Sequence, residues 1–205
     1  MDEKPTPAPA WTPSPDVVAA ANVTAVCREL GLPDYPALHA WSVARRDRWW
    51  ELAIRRLGVP LRRPYGRILD AAEPTGPKWL VGARMNIVDA CFAAPANAVA
   101  VVESDGTGPP RRTTYGQLRR QVERAAGALA AAGVGPGDAV GMVLPMSGTA
   151  VAAYLAVVAA GAAVVSIADS FAAEEIATRL RVVGARLVIT QTAVARGGKR
   201  LPLYE

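Results

Sequence analysis

Residues 139–168, AVGMVLPMSGTAVAAYLAVVAAGAAVVSIA, decide the fold, because these thirty positions contain no charged side chain. The stretch is interrupted by residues that break helices or strands, namely Pro145, Ser147, Gly148 and Gly161. The interruptions predict a strand over 139–144, a helix over 149–160 and a strand over 162–167. Because both strands are apolar at nearly every position, we expect a buried parallel βαβ unit with its sheet covered on both faces.

Thirty uncharged residues are also long enough to cross a bilayer as one helix. The internal proline and glycines count against a membrane span, as does the dominance of weakly apolar alanine in the middle. We therefore favour the βαβ unit over a transmembrane segment.

Elements of the same kind are predicted upstream of this stretch. Asn86 is a candidate N-cap for a short helix, a strand is expected over 98–102, and the polar, Gly- and Pro-rich residues 104–110 predict a turn. Thr114 and Gln117 have the spacing of a capping box, so a helix should begin there and end at Gly133.

A further helix and strand are predicted downstream. The helix covers 172–183, with Glu174 and Glu175 in the first turn, where the helix dipole favours negative charge. The strand covers 186–190. From residue 98 onward, strands and helices should therefore alternate.

We predict three segments along the chain. Residues 1–15 contain five prolines and should form a disordered leader. Residues 16–84 should form a helical extension, with one helix from about Asp16 to Leu30, a second over 37–57, and an irregular arm to Gly82. Residues 85–205 should form the α/β part.

The chain has 23 basic and 18 acidic residues, a formal net charge of +5, and 20 of the basic residues are arginine. Many cluster around Trp41, Trp49 and Trp50; they are Arg45, Arg46, Arg48, Arg55, Arg56, Arg62, Arg63 and Arg67. Such a mixture could form a noncatalytic module that docks a protein or an anionic surface. We favour a helix whose arginines are solvated while its Trp and Leu side chains pack. Nucleic acid is not expected as a partner.

The residues that most often bind metals are sparse. Cys27 and Cys91 have no metal or redox spacing, and His39 is the only histidine, so no metal site is expected. The sequence also begins without a secretory signal, which predicts an intracellular protein with reduced thiols.

Short segments in a fixed order resemble the N-terminal part of the acetyl-CoA-synthetase-like acyl-activating enzymes, which are AMP-binding and adenylate-forming. They are residues 78–87 (KWLVGARMNI), 114–118 (TYGQL), 144–146 (LPM) and 196–199 (RGGK). Residues 166–171 (SIADSF) and 201–204 (LPLY) are most similar to the plant peroxisomal members. The resemblance implies an α/β fold in which a helical N-terminal extension precedes the first parallel βαβ half-sheet of the large domain, apparently truncated.

The resemblance also implies a reaction. In that family a carboxylate attacks ATP, bound with Mg²⁺, to give an acyl-adenylate, and the thiol of coenzyme A then displaces AMP. The phosphate loop and the C-terminal lysine needed for this have no counterpart in these 205 residues. We therefore expect no catalytic residue here and no activity from the chain alone. By resemblance its location is peroxisomal or cytoplasmic.

Two residues are candidates for coenzyme A binding. The resemblance places Arg196 and Lys199 at a loop whose basic pair contacts the 3′-phosphate of coenzyme A. Two cations flanking Gly197-Gly198 suit that role, because Arg offers paired donors and Lys a point charge. The alternative is a solvated basic loop. Many relatives have Gly-Gly where this chain has Asp169-Ser170, which we expect to cap the helix near residue 172.

Two glycine-rich segments compete with this interpretation. Residues 104–111 (SDGTGPPR) superficially resemble a phosphate loop, but Asp105 and paired prolines favour a hairpin turn. Residues 133–137 (GVGPG) lack dinucleotide-binding spacing. A small nucleotide-binding protein built on the βαβ core stays a third hypothesis.

Overall fold

A computed structural model describes residues 9–71, 75–104, 106, 108–196 and 199–202. Contacts between Cα atoms divide the chain into two units. Among the described residues, the first unit contains those up to Val59 together with Tyr65–Gly82. The second contains Pro60–Pro64 and those from Ala83 onward.

The first unit begins with four short helices: α1 (Pro15–Ala20), α2 (Asn22–Leu30), α3 (Tyr35–Ala44) and α4 (Arg46–Leu57). Asp34 caps α3, because its Oδ1 accepts a hydrogen bond from the Ala37 backbone N–H at 2.8 Å. The four buried residues of this unit's core cluster lie on α2, α3 and α4, and they are Val26, Cys27, Leu38 and Leu52. Trp41 and Trp49 pack against that core.

The prediction of two long helices for this region is wrong, because the structure has two shorter helices in place of each one. The backbone is extended at Ala21 (φ −67°, ψ 141°), which separates α1 from α2. It leaves the helical region again at Arg45 (φ −125°, ψ 54°), which separates α3 from α4. The break at Arg45 lets α3 and α4 place Leu38 and Leu52 in one small core, which a single straight helix could not do. The helix α1 has no buried residue, and nothing in the packing explains the break at Ala21. Of the predicted leader, residues 1–8 lie outside the described residues, and α1 already begins at Pro15.

The prediction of an irregular arm up to Gly82 is also wrong in part. β1 (Arg67–Asp70) and β2 (Lys78–Val81) pair in antiparallel register, with Leu69 opposite Trp79. The rings of Trp79 and Trp50 meet edge to face, with centroids 5.9 Å apart. Four-residue strands among prolines and glycines give little alternating pattern, so the sequence did not reveal them.

The second unit has the predicted α/β character. Its elements are α5 (Ile87–Cys91), β3 (Val99–Glu103), β4 (Arg111–Thr114), α6 (Tyr115–Ala131), β5 (Ala139–Val143), α7 (Gly148–Ala159), β6 (Ala163–Ile167), α8 (Ala173–Val182), β7 (Leu187–Thr190), β8 (Ala193–Arg196) and β9 (Lys199–Pro202). β5 pairs in parallel with both β6 and β7, so the strand order is β6-β5-β7. The predicted parallel βαβ unit is thus confirmed.

Helices lie on both faces of this sheet. Val140 of β5 belongs to a core cluster with Ala156 and Val157 of α7 and Leu129 of α6. On the other face α8 approaches so closely that a Cβ added at Gly141 would overlap Leu180 of α8. Glycine at this strand position therefore lets α8 pack directly on the sheet.

β3 departs from the predicted alternation. It pairs with β4 as a separate antiparallel ribbon and does not join β6-β5-β7. The residues between β3 and β4 therefore form a hairpin connection, as predicted, although Asp105 and Thr107 lie outside the described residues.

The predicted caps of α5 and α6 are confirmed. Asn86 caps α5 by accepting from the Val88 N–H at 3.0 Å, and its Nδ2 donates to the carbonyl of Val158 at the end of α7. Thr114 and Gln117 exchange both hydrogen bonds of the capping box. Across the described helices of both units, no span is both long and apolar enough to cross a membrane.

Candidate functional site

The order of the parallel strands creates a site at their carboxyl ends. The chain runs from β5 to β6 on one side and then returns to β7 on the other side of β5. In open α/β sheets, ligands bind outside the carboxyl ends of the strands where the strand order reverses. The segments that follow β6 and β7 are therefore the candidate ligand-binding segments.

Both segments line one cleft of about 280 Å³. Residues 169–171 follow β6, and the β8–β9 hairpin follows β7. The lining residues are Val143, Asp169, Ser170, Phe171, Ala173, Ile176, Val194, Leu201 and Pro202. The structure thus brings the Asp169-Ser170-Phe171 segment beside the hairpin that carries Arg196 and Lys199.

Arg196 and Lys199 are register partners. Arg196 is the last residue of β8, Lys199 is the first of β9, and they face each other across the antiparallel pair. Only Gly197 and Gly198 separate them, and both lie outside the described residues. Glycine is favoured in two-residue hairpin connections, and the sequence has Gly-Gly between the paired residues. The pairing puts the two backbone positions next to each other, as convergence on one ligand requires.

The cleft has one feature that the sequence did not indicate. The guanidinium carbon of Arg179 lies 4.2 Å from the centroid of the Phe171 ring, which is 38% exposed. Arg179 is on α8, eight positions beyond Phe171. The residue types alone do not predict that this arginine and this phenylalanine are in contact.

The expected capping role of Asp169 and Ser170 is wrong. The N-cap of α8 is Ala172, whose N–H donates to the side chain of Glu175 at 3.3 Å. Glu175 accepts from the N-cap N–H, as the third helical residue of a capping box does, and Asp169 and Ser170 line the cleft.

The competing loop at residues 104–111 is held by Glu103. Its Oε2 accepts from Nη2 of Arg111 at 2.7 Å, and its Oε1 accepts from the backbone N–H of Gly148 at 2.6 Å. The Gly148 hydrogen bond, followed by Arg111, lowers the pKa of Glu103. A carboxylate therefore already occupies the first turn of α7 and pairs with Arg111, which argues against a phosphate loop here. A larger cleft of about 740 Å³ next to this hairpin is lined by the same Glu103 and Arg111.

Most arginines of the Arg- and Trp-rich region take part in ion pairs. Arg55 and Arg56 both pair with Glu29, and Arg48 pairs with Glu51. Arg67 pairs with Asp70, and Arg62 makes two hydrogen bonds to Asp89, at 2.7 and 2.9 Å. Arg62 in turn lowers the pKa of Asp89. These pairs reduce the net positive charge that the region presents.

The candidate metal ligands are dispersed. His39 is exposed on α3, Cys27 is buried in the helical core and Cys91 is exposed. Within the described ranges, no three His, Cys, Asp or Glu side chains come close enough to hold a metal ion.

Known protein families and relatives match this chain over most of its length. The family described as AMP-binding enzyme matches residues 88–202, and that described as acetyl-coenzyme A synthetase N-terminus matches residues 35–91. Probable acyl-activating enzyme 18, peroxisomal, of Arabidopsis thaliana is 37% identical over 84% of this chain and 25% of its own length. Hexanoyl-CoA synthase of Cannabis sativa is 33% identical over 96% of this chain and 30% of its own.

A solved structure agrees with these relatives. Acetoacetyl-CoA synthetase from Streptomyces lividans matches with a TM-score of 0.87 and 33% identity, covering 96% of this chain and 32% of that one. The chain thus spans between a quarter and a third of the length of these three proteins. With one family matching more than half of its residues, the chain belongs to the adenylate-forming AMP-binding enzymes and corresponds to the N-terminal part of an acetyl-CoA-synthetase-like acyl-activating enzyme.

Proposed function

We propose that this chain is the opening section of an acid–thiol ligase that converts a carboxylate, ATP and coenzyme A into acyl-CoA, AMP and diphosphate. The family match over residues 88–202 supports the reaction class. Mg²⁺ would accompany ATP, and the described residues offer no cluster of metal ligands for it. A peroxisomal or cytoplasmic location belongs to the same proposal, and the plant peroxisomal relatives support the first.

The role of this section is to supply part of the coenzyme A site. Arg196 and Lys199 would bind the 3′-phosphate of coenzyme A, and the single observation that carries this assignment is their pairing across the β8–β9 hairpin. Two cations on adjacent strands can share one dianionic phosphate, and each contact is a charge-assisted hydrogen bond. The hairpin lies beside the carboxyl ends of the parallel strands, where an α/β sheet presents ligand sites.

The assignment is tested by comparing coenzyme A with dephospho-coenzyme A, which lacks only the 3′-phosphate. Calorimetry on the purified chain should show tighter binding of coenzyme A. The double variant R196A/K199A should lose this preference, with coenzyme A binding weakened about ten-fold or more. Equal affinity of the unmodified chain for both ligands would contradict the phosphate contact.

A matched control removes the same amount of charge elsewhere. Arg120 and Arg124 are exposed on α6. The double variant R120A/R124A should keep the preference for coenzyme A. If it loses that preference as fully as R196A/K199A does, general electrostatic attraction explains the binding and the hairpin does not.

Alone, the chain should catalyse no ATP–diphosphate exchange with any carboxylate. Apart from the superficial likeness of residues 104–111, no segment of its sequence resembles the phosphate loop, and none resembles the C-terminal lysine region of the family. Detectable exchange by the purified chain, above that of a heat-denatured sample, would show that this assignment of the reactive groups is mistaken.

The second hypothesis is a docking module that uses the Arg- and Trp-rich region. The ion pairs of Arg48, Arg55, Arg56, Arg62 and Arg67 weaken it. It predicts salt-dependent binding to acidic vesicles that is lost in R45A/R46A/R48A. Binding that is indifferent to those substitutions would count against it.

A further inference from the structure

The contact between Arg179 and Phe171 is a second feature of the cleft. The ring is 38% exposed and belongs to neither core cluster of buried residues in the described chain. The ring is therefore only partly buried, and the Arg179 guanidinium lies over it. The ring lines the cleft together with Val194, Leu201 and Pro202 of the β8–β9 hairpin.

The guanidinium is itself fixed. Nη1 of Arg179 donates to the carbonyl of Glu175 one turn earlier on α8, at 3.0 Å. The backbone of Phe171 is tied by its N–H to the carbonyl of Ala168 at 3.2 Å. A guanidinium within about 6 Å of a ring centroid attracts the ring's π face, so the two anchored groups hold each other.

We propose that Arg179 is a positioning residue, which stacks on Phe171 and keeps the ring on the cleft wall that faces a bound coenzyme A. This inference rests on the proposed function, because it takes the cleft as the path of the coenzyme beside the hairpin. Phe171 provides an apolar surface for the uncharged arm of the ligand. Arg179 touches the ring and leaves the 3′-phosphate to Arg196 and Lys199.

The division of roles gives a distinctive expectation. Loss of Arg179 should weaken coenzyme A and dephospho-coenzyme A by the same factor, roughly two- to five-fold, because a partly exposed cation–π contact is worth that much in affinity. Loss of Arg196 and Lys199 should instead weaken only the ligand that carries the 3′-phosphate. R179K, which keeps a cation, should recover part of the affinity.

The chain contains only two phenylalanines, so ¹³C-phenylalanine labelling gives two sets of ring signals in NMR spectra, one for each residue. Phe92 is buried and serves as the internal reference. R181A is the matched control, since Arg181 is exposed on the same helix and pairs with Glu174 at 2.8 Å. R179A should shift the Phe171 signal and leave Phe92 in place, whereas R181A should leave both signals in place.

The outcomes separate this inference from the proposed function. If the unmodified chain binds coenzyme A and R179A binds it equally well, the positioning role is overturned while the coenzyme site stands. An R179A Phe171 signal identical to that of R181A also overturns it. If the unmodified chain binds neither coenzyme, the coenzyme site fails, and the role of Arg179 in it fails with it.

Discussion

At the scale of single residues, Glu103 connects more of the second unit than any sequence pattern suggests. Its carboxylate joins Arg111, eight positions away, to the Gly148 N–H, forty-five positions away. The hairpin β3–β4 is thereby tied to the first turn of α7. No local signal reports such a contact, since an acidic residue at the end of a strand is ordinarily solvated.

We expect E103A to lower the free energy of unfolding by about 1–2 kcal/mol at neutral pH, because a backbone N–H and a guanidinium lose a charged acceptor. Denaturant titration measures this effect. The control is E123A, which removes an exposed carboxylate on α6 and should change stability by less than about 0.5 kcal/mol. An E103A chain as stable as the E123A chain would contradict a stabilising role for the Glu103 contacts with Arg111 and Gly148.

The pH dependence of this contribution follows from the lowered pKa of Glu103. The folded state favours the carboxylate, so its contribution is complete above the pKa of the unfolded chain and is lost as pH falls through the lower folded pKa. The stability difference between the unmodified chain and E103A should therefore shrink in acid. A stability difference between the unmodified chain and E103A that grows below pH 4 would contradict this prediction.

The candidate site was only partly predictable at this scale. Arg196 and Lys199 were predicted from the family resemblance, which implies a basic pair at this loop, and the register of β8 and β9 makes their backbones neighbours. Arg179 was missed because its partner is a ring eight positions earlier on a different element. Asp169 and Ser170 were assigned as caps, but the N-cap position is Ala172, whose own N–H donates to Glu175.

At the scale of elements, α6 was predicted closely because both of its ends carry local signals. Its start is the Thr114 and Gln117 capping box, and its end is Gly133 at φ 81°. Gly133 N–H donates to Ala130 and Val134 N–H to Leu129, which is the Schellman pattern. By contrast, the break at Arg45 accompanies the packing of α3 and α4 around a shared core, and sequence periodicity carries no sign of it or of the break at Ala21.

Replacing two glycines by alanine, one inside α6 and one just after it, should change stability with opposite signs. Gly133→Ala places a Cβ in a left-handed conformation, 2.8 Å from Nη2 of Arg186, and should destabilise by about 1–2 kcal/mol. Gly127→Ala lies inside the helix with no heavy atom within 4 Å of the new Cβ, and should stabilise by about 0.5–1 kcal/mol. Thermal and denaturant unfolding measure both changes. Equal shifts of the same sign would contradict the described end of α6.

At the scale of the whole molecule, the two ends of the parallel sheet differ in a way that suits the proposed function. At the amino end, Asp138 accepts from the Gly135 N–H at 2.8 Å and pairs with Arg186 at 3.2 Å. At the carboxyl end lie the cleft, Phe171 and the hairpin. The fold class followed from the uncharged stretch 139–168, and the turn between β3 and β4 from residues 104–110. The β1–β2 and β8–β9 ribbons did not, because four-residue strands show little alternating pattern.

The measurement that tests the central claim most directly is the KM for coenzyme A of a chimera. In it, this chain replaces the matching third of the Streptomyces lividans acetoacetyl-CoA synthetase, to which it is similar with a TM-score of 0.87. We predict that the chimera catalyses ATP–diphosphate exchange and forms the thioester, and that R196A/K199A raises the KM for coenzyme A about ten-fold or more while leaving exchange intact. A folded chimera without exchange, or an unchanged KM in the double variant, would contradict the claim.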